Sequence, residues 1–338
     1  MGRRPLTDDG DDENGSAYVF DPSNTTQLNT FTADDVFDSF GLYGLDISVT
    51  NSAVMIGAPG FSGGGKVFVY NPLTFSFFTS LERDTTTDDF NYGWKVEHND
   101  QYLVVSAKGE FDFSPDGAVY VYDFASGFLL YRLTSPIEDL DGGDEFGIQI
   151  ALENDTLLVS FGGGAPSDVR AKVAMYDLTT GDLVTLLDAD ATTNQDGFGS
   201  SISIEGNTAV IGAPFTNDPR LPGKAGELRG ALYVYDLSTK TQTEKIMLPT
   251  SVTDRKAFGS PAVIKDGTIV TSSGTDVISE NRSYVIKQFC KPDLNLDGNL
   301  NFFDVSFFLA QSVDWKQDGS FNFLDISAFL QSFNDGCP

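Results

Sequence analysis

Apolar residues over the first 288 positions come in short runs. Val119-Tyr120-Val121-Tyr122 and Leu232-Tyr233-Val234-Tyr235 are apolar at every position, while Phe75-Ser76-Phe77-Phe78-Thr79 mixes in small hydroxyl residues. Clusters of Asp, Asn, Gly, Thr and Ser separate the runs, which is the signature of strands and turns, and little of this stretch has helical spacing. A strand that is apolar throughout needs cover on both faces.

The runs belong to a phrase that recurs at intervals of roughly fifty residues, and such a period means stacked supersecondary units. Phe198-Gly199 leads to Ala209-Val210-Ile211-Gly212-Ala213-Pro214 and then to Gly230-Ala231-Leu232-Tyr233-Val234-Tyr235-Asp236. Phe40-Gly41 leads likewise to Gly57-Ala58-Pro59 and to Val67-Phe68-Val69-Tyr70-Asn71. Drifted copies follow Tyr92-Gly93, Phe146-Gly147 and Phe258-Gly259, with Ser106-Ala107-Lys108 replacing Gly-Ala-Pro in the first of these.

Each unit holds about four strands, and radial stacking of four-stranded blades covers both faces and protects sheet edges. A Greek-key sandwich is the alternative, but it leaves the repetition unexplained. Gly after the aromatic residue permits positive φ or a close strand approach. Pro after Gly-Ala ends a strand. The aromatic side chain has the bulk to fill the wedge between blades.

These units resemble FG-GAP repeats, the blades of integrin α-subunit propellers and of many bacterial extracellular proteins. The resemblance implies a propeller over residues 1–288. Some blades of that family hold calcium in an Asp-x-Asp-x-Asp-Gly loop, and no such spacing lies between the strands here. Looser acidic clusters precede the aromatic–Gly pairs: Asp34, Asp35 and Asp38; Asp84, Asp88 and Asp89; Asp139, Asp141 and Asp144. They read as solvated turns or as cation sites. The phase of the repeat places third- and fourth-type strands first, through Tyr18-Val19-Phe20-Asp21, and a first, second and third strand last, ending at Ser283-Tyr284-Val285-Ile286. Either the end strands share one blade, or the natural chain is longer and carries further blades and an export signal upstream. Met1–Pro5 has two arginines with no apolar run behind them.

The last fifty positions, 289–338, change character. Asp293, Asn295, Asp297, Asn301 and Asp304 fall at positions 1, 3, 5, 9 and 12 of a loop with Gly298 at position 6. That is the spacing at which alternate residues turn oxygens toward a calcium ion. Val305, Phe308 and Leu309 then follow at helical spacing. The pattern repeats twenty-one residues later, with Asp314, Asp318, Asn322 and Asp325, and then Ile326, Phe329 and Leu330. Lys316 stands at a ligand position of the second loop and predicts weaker binding there.

This tandem resembles a dockerin, the two-loop calcium module that plugs extracellular proteins into cohesin-type partners. The resemblance implies a small α-helical domain, Ca2+ as its cofactor, and backbone carbonyls of Asn299 and Ser320 completing the two shells. At positions 10 and 11, where cellulosomal dockerins carry small hydroxyl residues that read the cohesin, this chain has Phe302-Phe303 and Phe323-Leu324. These four are the candidate partner contacts, and they point to a cohesin-like or other cell-surface protein in place of a classical cohesin. The tail resembles those of planctomycete secreted proteins.

The formal charge of -28 over 338 residues repels nucleic acid and anionic membranes. No stretch is long and apolar enough to span a bilayer. Cys290 and Cys337, the two cysteines, bracket the tail and read as a disulfide in an oxidising compartment; two unpaired thiols are the other reading. His98 is the single histidine, so zinc chemistry built on histidines is excluded; a Ser-His-Asp triad is disfavoured, since no serine stands in a nucleophile elbow. Beside Trp94 and Glu97, His98 reads as an incidental surface residue of a strand. Carboxylate-pair chemistry stays open among so many acids.

The expectation is therefore an all-β chain: a β-propeller of about five to six four-stranded blades over 1–288, then the calcium module over 289–338. Its expected role is that of a non-catalytic extracellular or cell-surface binding and adhesion protein. The propeller would present loops to a protein or glycan, and the tail would dock it. The alternative is a polysaccharide-degrading enzyme, a glycoside hydrolase or lyase, that uses propeller carboxylates.

Overall fold

The computed structural model describes residues 2–3, 15–32, 41–61, 64–83, 90–108, 117–137, 145–162, 171–189, 196–217, 228–248, 257–273 and 282–287. Among these residues there are only strands, turns and irregular connections. The chain divides into two compact units, Met1–Ile264 with Thr271–Tyr284, and Lys265–Val270 with Val285–Pro338. The tail residues named above, from Cys290 to Cys337, lie outside the described residues, as do Phe40 and the three acidic clusters.

Among the described residues, six sheets hold the strands. The first contains β1 (Gly2–Arg3), β2 (Ser16–Phe20) and β3 (Gln27–Thr32). Four four-stranded meanders follow. The second sheet is β4 (Ile47–Val49), β5 (Val54–Ala58), β6 (Lys66–Tyr70) and β7 (Phe77–Glu82). The third is β8 (Tyr92–His98), β9 (Tyr102–Ala107), β10 (Ala118–Asp123) and β11 (Leu129–Thr134). The fourth is β12 (Ile150–Glu153), β13 (Thr156–Phe161), β14 (Lys172–Asp177) and β15 (Asp182–Leu187). The fifth is β16 (Ser201–Glu205), β17 (Thr208–Ala213), β18 (Ala231–Asp236) and β19 (Thr241–Ile246). The sixth is β20 (Ala262–Lys265), β21 (Thr268–Ser273) and β22 (Arg282–Lys287). The first strands of successive meanders lie side by side, β4 by β8, β8 by β12 and β12 by β16. That is the packing expected of propeller blades.

The middle strands carry the core. Every residue of β9 and β5 is buried, and β10, β17 and β18 are buried at all but one terminal position each. The clusters sit between neighbouring sheets, as the wedge role requires. Phe146 packs with Val119, Val121 and Leu133 of one sheet and with Leu157, Val159 and Tyr176 of the next. Phe198 joins Val173 and Met175 to Ile211 and Tyr233 in the same way. Fourth strands form the outer edges and leave Phe77, Phe78, Leu129 and Leu183 exposed.

One register differs from the expectation. The aromatic–Gly pair of the second sheet is Tyr43-Gly44, three positions after Phe40-Gly41. Gly44 donates to Gly57 O at 2.9 Å, just as Gly147 donates to Ser160, Gly199 to Gly212 and Gly259 to Ser272, and each pair is thirteen positions apart. Gly93 precedes Ser106 by the same interval. All five glycines have positive φ, from 82° to 103°, and the residue two positions earlier is left-handed in each case: Leu42, Asn91, Glu145, Gly197 and Ala257. Tyr43 is buried against Phe68 and shares a 2.7 Å hydroxyl contact with Tyr70, as Tyr92 does with Tyr122 at 2.9 Å.

The turn between third and fourth strands also repeats. Asp21, Asp177 and Asp236 each accept from the backbone amide and hydroxyl of the residue two positions on, Ser23, Thr179 and Ser238. Asp123 does so with Ser126. These donors hold the four carboxyls below the usual carboxylate range. Four positions after each acid, or after Asn71, the chain turns left-handed at Thr25, Phe75, Gly127, Gly181 and Lys240. That places Phe75 in the turn, so β7 starts at Phe77. Only Gly occupies such a position without strain. Lys240→Gly should therefore stabilise the chain by about 0.5 kcal/mol, and Gly127→Ala should cost about 1 kcal/mol, both read by thermal melts. Equal and opposite signs to these would refute the strain assignment.

Candidate functional site

Up-and-down meanders give the blades two unlike ends. Connections from first to second strands are short hairpins, 50–53, 99–101, 154–155 and 206–207. Third-to-fourth turns leave from the same end. The other end receives the second-to-third connections, 59–65, 108–117, 162–171 and 214–230, and the crossings to the next sheet, 33–46, 83–91, 135–149, 188–200 and 247–261. Long connections on a rigid scaffold are where binding residues concentrate.

Two polar clusters among the described residues join neighbouring sheets. In the first, Asp46, just before β4, accepts from the Val96 amide at 2.9 Å and pairs with Lys95 Nζ at 3.2 Å. Glu97, two residues along β8, lies 3.4 Å from Ser48 Oγ. Burial, and next the negative charge of Asp46, push the Glu97 carboxyl up to about 7, against the pull of Ser48 and Lys95. Beyond it is His98. Its side chain is buried, contrary to the surface position expected for it, and burial holds its pKa below the usual imidazole value. Nδ1 lies 2.9 Å from Ser48 Oγ, and Nε2 lies 2.8 Å from Thr50 Oγ1 and 3.1 Å from Ala53 O. The ring stacks on Phe124 at 6.1 Å. Both nitrogens are thus taken up in the joint between two sheets.

The second cluster explains why Lys stands where other units have Pro. Lys108 Nζ reaches Glu145 at 3.0 Å and lies 4.7 Å over the Trp94 ring. Glu145 belongs to the next sheet, at the left-handed position before Phe146. A proline there could supply neither contact.

Asp46 and Glu97 are two carboxylates brought together from neighbouring blades, which sequence spacing could not show. Asp46 is already engaged by an amide and an ammonium, so it serves as a joint. Among the described residues no group of three or more His, Cys, Asp or Glu is placed to hold a metal ion. No helix among them is long and apolar enough to cross a membrane.

Residues 181–235, the span from the β14–β15 turn to the end of the Tyr-Val-Tyr strand, match the family model described as FG-GAP repeat. The aromatic–Gly geometry of the matched span recurs in the other sheets, at Gly44, Gly147 and Gly259. Many solved structures are similar to the chain. One is the Kuenenia stuttgartiensis hydrazine synthase, at 12% identity and a TM-score of 0.48, matching 73% of this chain and 63% of that one. The chain thus spans less than two thirds of that protein's length. Another is the β-propeller domain of the trilobed protease from Pyrococcus furiosus, at 11% identity and a TM-score of 0.48, matching 81% of this chain and 75% of that one. No curated protein matches the sequence.

Proposed function

We propose that the chain is a non-catalytic extracellular or cell-surface binding protein. Its propeller presents the long-connection end to a protein or glycan. Its dockerin-like tail, ordered by Ca2+, docks it to a cohesin-like or other surface protein through Phe302, Phe303, Phe323 and Leu324. The observation that carries this reading is the tandem of calcium-loop spacings at Asp293–Asp304 and Asp314–Asp325. A disulfide between Cys290 and Cys337 suits the same extracellular setting. The engagement of Asp46, His98 and Glu145 in joints between blades supports a scaffold role for the propeller. A second reading, a polysaccharide-degrading enzyme borne by the same tail, draws on the meeting of Asp46 and Glu97. Release of reducing sugar from a polysaccharide panel separates the two.

Lys316 puts an ammonium where the first loop has Asn295. Lys316→Asn should strengthen the weaker calcium site while leaving the tighter one unchanged, as read by calorimetric titration. Two equal sites in the unaltered chain would refute the assignment of Lys316.

A further inference from the structure

We propose that Glu97, Ser48, His98 and Thr50 form a hydrogen-bonded chain that reverses direction when it loses one proton, and so sets how firmly β4 and β8 are joined. His98 is the only histidine in the sequence. A neutral imidazole carries one N–H, and a hydroxyl can donate only once. Two proton orders fit these contacts: in the first Nε2–H faces both Thr50 Oγ1 and Ala53 O, and in the second Ala53 O gives up the imidazole proton and keeps the Thr50 amide as its donor at 3.0 Å. In the first, Glu97 is neutral and donates to Ser48 Oγ, Ser48 donates to Nδ1, and Nε2–H points to Ala53 O, 3.1 Å away. In the second, Thr50 Oγ1 donates to Nε2 across 2.8 Å, Nδ1–H donates to Ser48, and Ser48 donates to an ionised Glu97.

The protons balance. On passing from the first order to the second, the Glu97 proton moves to Ser48 Oγ as the Ser48 proton moves to Nδ1, and Nε2 releases its proton to water. Thr50 then turns its own hydroxyl proton to Nε2, while its oxygen keeps accepting from the Ser52 amide at 3.0 Å. The charged groups facing the chain are Asp46 and Lys95 beside Glu97, and Asp100 beside His98. In the first order Lys95 balances Asp46 alone. In the second it must balance two carboxylates, and the joint loosens. The position of Glu97, pushed up to about 7, places the reversal near neutral pH.

The test is an imidazole nitrogen spectrum of the full chain, in which one histidine gives one unambiguous pair of signals. The N–H should sit on Nε2 at about pH 5.5 and on Nδ1 at about pH 8.5. Amide exchange gives a second readout, since protection of the Val96 amide, which bonds Asp46, should fall about tenfold beyond the intrinsic pH effect. In Glu97→Gln, and independently in Ser48→Ala, the tautomer should stay the same across this range. A single tautomer throughout in the unaltered chain overturns the proposal. So does a tautomer shift that survives Glu97→Gln.

Discussion

Gly212→Ala lowers the stability of the chain by about 3–4 kcal/mol in a denaturant melt. A Cβ at position 212 would stand 1.8 Å from Gly259 O of the next sheet and 2.4 Å from Ser201 Oγ. Both neighbours are fixed, because Ser201 Oγ donates to that same carbonyl at 2.9 Å. A Cβ at position 57 would meet Gly93 O at 2.1 Å in the same way, so the Gly of Gly-Ala-Pro marks where the next blade's backbone presses into the sheet. Where the repeat has Ser106 or Ser160, a Cβ added to the facing glycine, Gly147 or Gly199, would meet the serine Cβ at 3.0 or 2.8 Å. Gly206→Ala is the comparison. Gly206 has φ of 55° and nothing within 4 Å, so its loss should stop at about 1 kcal/mol of backbone strain. Similar losses for the two variants would show that close approach between blades is not what position 212 requires.

Lys108→Met costs about 2–4 kcal/mol, because it removes the ammonium that faces Glu145 and lies over the Trp94 ring. The side chains of Lys108 and Glu145 are 18% and 9% exposed, so the carboxylate left behind has little water to turn to. Lys108→Met combined with Glu145→Gln should recover most of the loss. The pair Lys66–Glu82 has a glutamate that is 62% exposed, and Lys66→Met should cost less than about 1 kcal/mol. A Lys108→Met variant no weaker than Lys66→Met would remove the joint from the account.

The repeat was legible because its apolar runs and its glycines answer to backbone geometry. Gly93, Gly147, Gly199 and Gly259 take the positive φ that was one of the two readings of glycine there, and Ala58 and Ala213 end their strands before proline. The second sheet misled for a physical reason. Two aromatic–Gly pairs, Phe40-Gly41 and Tyr43-Gly44, stand three residues apart, and resemblance to the commoner Phe-Gly favours the first. Hydrogen bonding favours the second, because only Gly44 stands thirteen residues before Gly57. That interval was present in the sequence in every other unit and was the available signal. The joints were less legible. Asp46 and Val96 are fifty positions apart, and Lys108 and Glu145 meet across a connection, so no local spacing announces either pair. His98 looked incidental because its partners, Ser48, Thr50 and Ala53, come from another blade.

A calorimetric titration of the full chain with Ca2+ tests the proposed docking role most directly. The account predicts one tighter site and one weaker site, with the tighter one lost in Asp297→Ala and the weaker one retained. No calcium binding, or a tighter site that survives Asp297→Ala, would contradict it.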